Sequence, residues 1–125
     1  MILDTNSLSA WADKDDALEQ KLPAAHQLAL PVIVIGEYRY GVQRSRDRTR
    51  FENWLEQVIR ATRVLEITVA TTNSYADVRS MLHRKGKPIP ASDAWISALA
   101  LQHRLPVLSR DAHFDNVEGL TRISW

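Results

Sequence analysis

The 125-residue sequence has no cysteine, so no disulfide can support its fold. A domain of this size needs none, because it can bury roughly two-thirds of its unfolded surface. The absence agrees with a reducing compartment. No apolar run approaches the roughly 20 residues that span a bilayer, and no basic segment precedes an apolar core as in a secretory signal. A cytoplasmic protein without a membrane segment is expected. Repeats and low-complexity segments are also missing. The four histidines are too scattered to suggest a zinc site. The length suits one compact domain, expected to occupy residues 1–125.

An excess of either charge is lacking too, since the net charge is +1. That value conceals segregation. Residues 1–38 carry two basic and six acidic side chains, a net of −4. Residues 39–63 carry seven and three, a net of +4, and residues 79–110 carry six and one, a net of +5. Acidic clusters beside basic surface suit metal-assisted chemistry on a polyanion, although a solvated surface can segregate charge by chance.

Apolar runs alternate with helical periodicity. Residues 1–3 read as a buried strand, with Thr5, Asn6 and Ser7 as capping residues for a helix towards Ala12. Residues 15–27 read as a second helical stretch, broken or bent near Pro23. Residues 30–35 are apolar and β-branched, which predicts a second strand, with a helix over 36–43. Phe51, Trp54, Leu55, Val58 and Ile59 carry the spacing of an amphipathic helix over 48–61. A strand is expected at 64–67, a helix at 71–84, a rigid loop at 86–90, an apolar helix at 93–103, and strands at 106–108 and 121–125. This alternation predicts an α/β fold with a parallel sheet covered on both faces and right-handed connections.

In open α/β sheets the working site lies beyond the carboxyl ends of the strands. Asp4 ends the first predicted strand, Glu37 follows the second by a turn, and Asp111 follows the fourth. Asp93 opens the apolar helix, where the helix dipole favours a carboxylate. Taken singly, an acid at a strand end is often only a helix cap. As a set in apolar surroundings, these four require partners or a metal. Oxygen donors of this kind suit Mg²⁺ or Mn²⁺.

Four segments carry a resemblance: Ile2-Leu3-Asp4-Thr5-Asn6, Val34-Ile35-Gly36-Glu37-Tyr38-Arg39-Tyr40-Gly41, Ser92-Asp93-Ala94-Trp95-Ile96-Ser97-Ala98 and Leu108-Ser109-Arg110-Asp111-Ala112-His113-Phe114. In this order and spacing they resemble the PIN-domain family, and within it the VapC-type toxins of toxin–antitoxin pairs. The resemblance covers essentially the whole chain. It implies a PIN-like three-layer α/β/α sandwich with a central four- to five-stranded parallel sheet. It implies an endoribonuclease that uses Mg²⁺ or Mn²⁺. It also implies an antitoxin covering the site, and a homodimer or a larger toxin–antitoxin assembly.

Carried over, Asp4, Glu37, Asp93 and Asp111 match the catalytic acids, with Asp4, Asp93 and Asp111 as metal ligands and Glu37 orienting or deprotonating water. Asn6 and Ser109 match supporting positions, and Ser109 stands where threonine is common. Asp115, one helical turn from Asp111, is a further supporting acid that could take its role. Arg39 and Arg110 are expected to hold RNA phosphates. Trp11 and Trp54 are read as core or interface residues, and His113, near the predicted site, as a surface or capping residue.

Rival classes fit less well. A haloacid-dehalogenase-like phosphatase would want a second aspartate where Asn6 stands. A receiver domain would want an acidic pair after the first strand, a phospho-accepting aspartate and a late lysine. Two readings within the fold stay open: an antitoxin-independent PIN nuclease of RNA processing, and a catalytically silent RNA- or protein-binding domain. A neighbouring reading frame for a small DNA-binding protein would favour the toxin.

Overall fold

The computed structural model describes residues 1–125. Its elements, in order, are β1 (Ile2–Leu3), α1 (Thr5–Ala12), α2 (Asp16–Glu19), a 3₁₀ turn (Ala25–Gln27), β2 (Ala29–Pro31) and α3 (Val32–Val42). Then come α4 (Arg48–Ala61), β3 (Arg63–Leu65), α5 (Val69–Lys85), α6 (Ala91–His103), β4 (Val107–Leu108), a second 3₁₀ turn (Ala112–Asn116) and β5 (Arg122–Ile123). The five strands form one sheet in the order β3-β2-β1-β4-β5, and every pairing is parallel. Register is fixed by Ile2 against Ala29 on one side and against Val107 on the other.

Successive strand residues point to opposite faces. Ile2, Leu3, Ala29, Leu30, Val107 and Leu108 are all buried, so helices cover both faces and the fold is the expected three-layer α/β/α sandwich. Trp11 and Trp54 bind α1 to α4 edge-to-face, with ring centroids 5.4 Å apart, and Tyr38 of α3 lies 5.9 Å from Trp54. Tyr75 stacks on Trp95 at 3.8 Å and ties α5 to α6.

The sheet order reverses direction between β1 and β4. The chain runs outward from β1 through β2 to β3, then returns to lay β4 on the other side of β1. Such a switch point opens a crevice at the carboxyl ends of the two strands. Asp4 follows β1 there, and Ser109 follows β4.

The expected strand over residues 30–35 is corrected. The strand stops at Pro31, and Val32 to Ile35 form the first turn of α3. β-Branched residues lose only tenths of a kcal/mol in a helix relative to alanine. Burying Val34, Tyr38 and Val42, spaced four apart on one face of α3, outweighs that preference. Glu37 sits within the helix, as expected, but in its second turn and not at its start. The helical stretch expected over 15–27 is broken rather than bent, and less of it is helical than expected. Only Asp16–Glu19 is α-helical, capped by Asp15, whose Oδ1 accepts from the Leu18 N–H at 3.0 Å. The remaining segment passes Pro23 before its 3₁₀ turn. The other elements differ from expectation only at their ends, where hydrogen bonds rather than periodicity set the boundary. Thus α5 begins at Val69 because Thr68 and Thr71 close a capping box.

Candidate active site

Asp4 leaves β1 in an extended conformation and is itself the N-cap of α1, in place of the capping residues expected after it. Its Oδ1 accepts from the Ser7 N–H at 2.8 Å, while the Ser7 hydroxyl donates to the Asp4 carbonyl at 3.0 Å. Its Oδ2 accepts from the Ser109 hydroxyl across the β1/β4 crevice. Only 4% of Asp4 is exposed. Burial pushes its pKa up, the Ser109 and Ser7 hydrogen bonds pull it down, and the nearby Asp111 pushes it up again. Desolvation is the strongest of these effects.

Ser109 links two of the acids. The same hydroxyl that donates to Asp4 accepts from the Asp111 N–H at 2.9 Å. Asp111 caps the second 3₁₀ turn, and its Oδ1 accepts from the His113 N–H at 2.9 Å. The His113 ring then turns back, placing Nδ1 3.1 Å from Asp111 Oδ1 and 3.2 Å from Asp93 Oδ2. Asp93 stands in the first turn of α6. Burial raises its pKa, the His113 hydrogen bond lowers it, and Asp111 and Asp4 push it up.

Glu37 completes the group from α3. Burial raises its pKa most, the Asp93 and Asp4 charges add to that rise, and the Thr5 hydroxyl tempers it. Its Oε1 is buried and has no hydrogen-bond partner. An unmatched buried carboxylate oxygen is costly, and the charges of Asp93 and Asp4 nearby make it more so. Asp4, Glu37 and Asp93 thus each feel the charge of another acid of the group in a setting that penalises charge. A divalent cation would relieve both penalties, and the all-oxygen donor set fits Mg²⁺ or Mn²⁺.

The other expected residues fall as follows. Asn6 is exposed on the first turn of α1, and the contacts that support Asp4 come from Ser7 instead. Asp115 points to Arg122, which holds it bidentately at 2.7 and 2.8 Å and keeps its carboxyl below the usual range. Arg122 also donates to the Ser109 carbonyl at 3.1 Å, so Asp115 reaches the site only through that arginine. Arg39 turns from Glu37 to pair with Glu56 at 2.8 Å. Arg110 lies over the Trp125 ring at 4.7 Å, with Asp15 3.9 Å away. A cleft of about 290 Å³ opens beside Glu37 between α1 and α3, lined by Thr5, Ser9 and Asp13 among others. The largest cavity, about 660 Å³, lies along α4 and includes none of the four acids.

The sequence reading missed two residues. Ser7 stands three after Asp4, the spacing of an N-cap bond, and that signal was present. His113 was read as a surface or capping residue, yet its ring bridges two of the acids. The signal was its position two residues after a capping aspartate, where a 3₁₀ turn brings the side chain back. Ser109→Ala would leave the buried Asp4 Oδ2 and the Asp111 N–H without their shared partner. A loss of about 1–3 kcal/mol is expected, read by urea unfolding of the metal-free protein. A loss below experimental error would show the Ser109 bridge to be dispensable.

A five-stranded parallel sheet with carboxylates gathered at the β1/β4 switch defines the class: the PIN-type α/β fold. The PIN domain family model matches residues 1–120, and the chain belongs to the PIN-domain family. It is 33% identical to the VapC ribonuclease Y4jK of Sinorhizobium fredii (strain NBRC 101917 / NGR234), over 99% of this chain and 96% of that protein. Among solved structures it superposes on FitAcB from Neisseria gonorrhoeae with a TM-score of 0.84 and 28% identity, covering 98% of this chain and 95% of that one. VapBC2 from Rickettsia felis, bound to a DNA fragment from its promoter, shares the fold with a TM-score of 0.88 at 23% identity, covering 99% and 97% of the two chains.

Proposed function

We propose that this chain is a metal-dependent endoribonuclease and the toxin of a toxin–antitoxin pair. The observation that carries the proposal is the convergence of Asp4, Glu37, Asp93 and Asp111 from four elements, with Glu37 Oε1 left unpartnered. Asp4, Asp93 and Asp111 would hold Mg²⁺, with Mn²⁺ as an alternative. Bound there, the ion supplies positive charge to the transferring phosphate and acidifies water. Glu37 orients the attacking water through Oε1 and takes its proton. Its raised pKa suits that role. The water oxygen forms the new P–O bond as one bridging P–O bond breaks. Ser109 and Ser7 hold Asp4 in place. Arg39 and Arg110 would exchange their surface carboxylate partners, Glu56 and Asp15, for RNA phosphates.

The relatives support the toxin reading. One is a VapC ribonuclease similar over nearly its whole length, another is the toxin FitB of Neisseria gonorrhoeae, and VapBC-5 from Mycobacterium tuberculosis is a member of the VapBC family of toxin–antitoxin systems. An antitoxin covering the active site and a homodimer, or a larger assembly of both chains, complete the proposal. The setting is the cytoplasm, and no helix is long and apolar enough to cross a membrane. The test is to map 5′ ends of cellular RNA after brief induction of the parent and of Asp4→Asn. New, defined 5′ ends with the parent alone are expected. The same ends from both proteins would overturn the assignment.

A further inference from the structure

We infer that His113 is a nitrogen ligand of the divalent centre and that it biases the site towards Mn²⁺ over Mg²⁺. This inference rests on the reading of the acids as a metal centre and adds a donor of different chemistry to it.

Three observations point to His113. Its Nδ1 stands 3.1 Å from Asp111 Oδ1 and 3.2 Å from Asp93 Oδ2, and one donor atom from each of the three residues lies within 4.8 Å of the others. Adjacent ligand atoms around a six-coordinate ion with bonds of about 2.1 Å stand about 3.0 Å apart. The ring therefore already occupies the spacing of a neighbouring ligand. Second, the ring is held there by the backbone. The His113 N–H is bonded to Asp111, and the next residue, Phe114, is fully buried, so the 3₁₀ turn cannot swing away freely. Third, the other acid on this turn is committed elsewhere, because Asp115 is clamped by Arg122. His113 is the donor that this turn can add to Asp111.

The chemistry sets the selectivity. Mg²⁺ prefers oxygen ligands and gives up its waters reluctantly. Mn²⁺ stands lowest of the first-row ions in affinity and shares the preference of Mg²⁺ for oxygen. As a transition ion it nonetheless accepts an imidazole nitrogen more readily than Mg²⁺ does, so a nitrogen donor favours Mn²⁺ between the two at equal geometry. A rival role is a hydrogen-bond clamp: Nδ1–H would then restrain Asp93 and Asp111 without meeting the ion. The same distances serve both roles, so the discriminating measurement is a spectroscopic one on the bound ion.

The full chain is loaded with Mn²⁺, and electron spin-echo modulation is recorded for protein containing ¹⁴N- or ¹⁵N-histidine. Modulation from a directly coupled nitrogen is expected, changing with the isotope and disappearing in His113→Gln. His26, His83 and His103 lie on other elements and serve as internal controls. Competition calorimetry should show Mn²⁺ affinity falling about tenfold in His113→Gln while Mg²⁺ affinity stays within about twofold, on the scale by which groups around a metal tune its binding. Mn²⁺ bound without nitrogen modulation in the parent would overturn the inference and leave the carboxylate centre intact. Modulation that survives in His113→Gln would also overturn it. Failure of the parent to bind Mn²⁺, or unchanged binding by Asp93→Asn, would remove the metal centre itself and the His113 role with it.

Discussion

Asp4→Asn is expected to cut RNA about a thousandfold more slowly than the parent while melting at the same temperature or higher. The two halves of this result have separate causes. Losing a ligand that carries a full charge at a metal centre costs several kcal/mol of transition-state stabilisation, and about 4 kcal/mol corresponds to a factor of about 10³. Stability moves the other way. Asparagine ranks with aspartate as a helix N-cap, so the bond from the Ser7 N–H survives. The substitution removes a buried negative charge whose pKa is raised by desolvation and by Asp111. Ser109 can reverse its hydroxyl to accept from the new amide. Thermal melts and cleavage of a labelled RNA test both halves. An unfolded variant would show that Asp4 serves the fold, and a rate within tenfold of the parent would remove it from the centre.

Divalent metal should stabilise the protein strongly, and more so as pH rises. Ligand at a hundred times its Kd stabilises the folded state by about 2.7 kcal/mol. For a chain of this length that is a rise in Tm of roughly 10 °C. The pH dependence follows from Asp4, Glu37 and Asp93, whose pKa values are all raised in the folded state, foremost by burial. Raised carboxylate values mean that the folded, metal-free protein binds protons more tightly than the unfolded chain. Its stability is therefore greatest below the unfolded carboxylate pKa of about 4, falls as pH rises through the raised folded values, and stays low above them. Metal binding requires the ionised forms and offsets their repulsion. The increase in Tm with Mg²⁺ or Mn²⁺ should thus be larger at roughly pH 8 than at roughly pH 5. Chelation should reverse it, and Asp93→Asn should lose most of it. An equal shift in parent and Asp93→Asn would place the ion elsewhere.

The legible parts of this molecule are those where local pattern and tertiary environment agree. Helix α4 was readable to the residue because its apolar stripe faces the sheet, and β1 and β4 because their apolar runs are short, buried and followed by acids. Asp4, Glu37, Asp93 and Asp111 could be nominated because carboxylates beside apolar runs are unusual. The residues from Val32 to Ile35 misled because their β-branched composition favours a strand, while Pro31 and the burial of Val34 against the core decide for a helix. That error moved the start of the helix by four residues and left Glu37 on the element expected to carry it. His113 was hidden for a different reason. A 3₁₀ turn has no hydrophobic period to announce it, so the return of the ring to Asp93, twenty residues earlier in sequence, is visible only in three dimensions. Asp111 and Asp115 could not be ranked by spacing. The bidentate hold of Arg122 on Asp115 separates them.

The central claim is that these four carboxylates form a divalent metal centre that cuts RNA. Its most direct test is the rate of cleavage of one labelled RNA as Mn²⁺ or Mg²⁺ is titrated into the chelator-treated parent and Asp93→Asn proteins. Cleavage that rises to saturation in the parent, vanishes with chelator and stays near background in Asp93→Asn is the predicted result. Cleavage by the parent at full rate in chelator, or by Asp93→Asn at the parent rate, would contradict it.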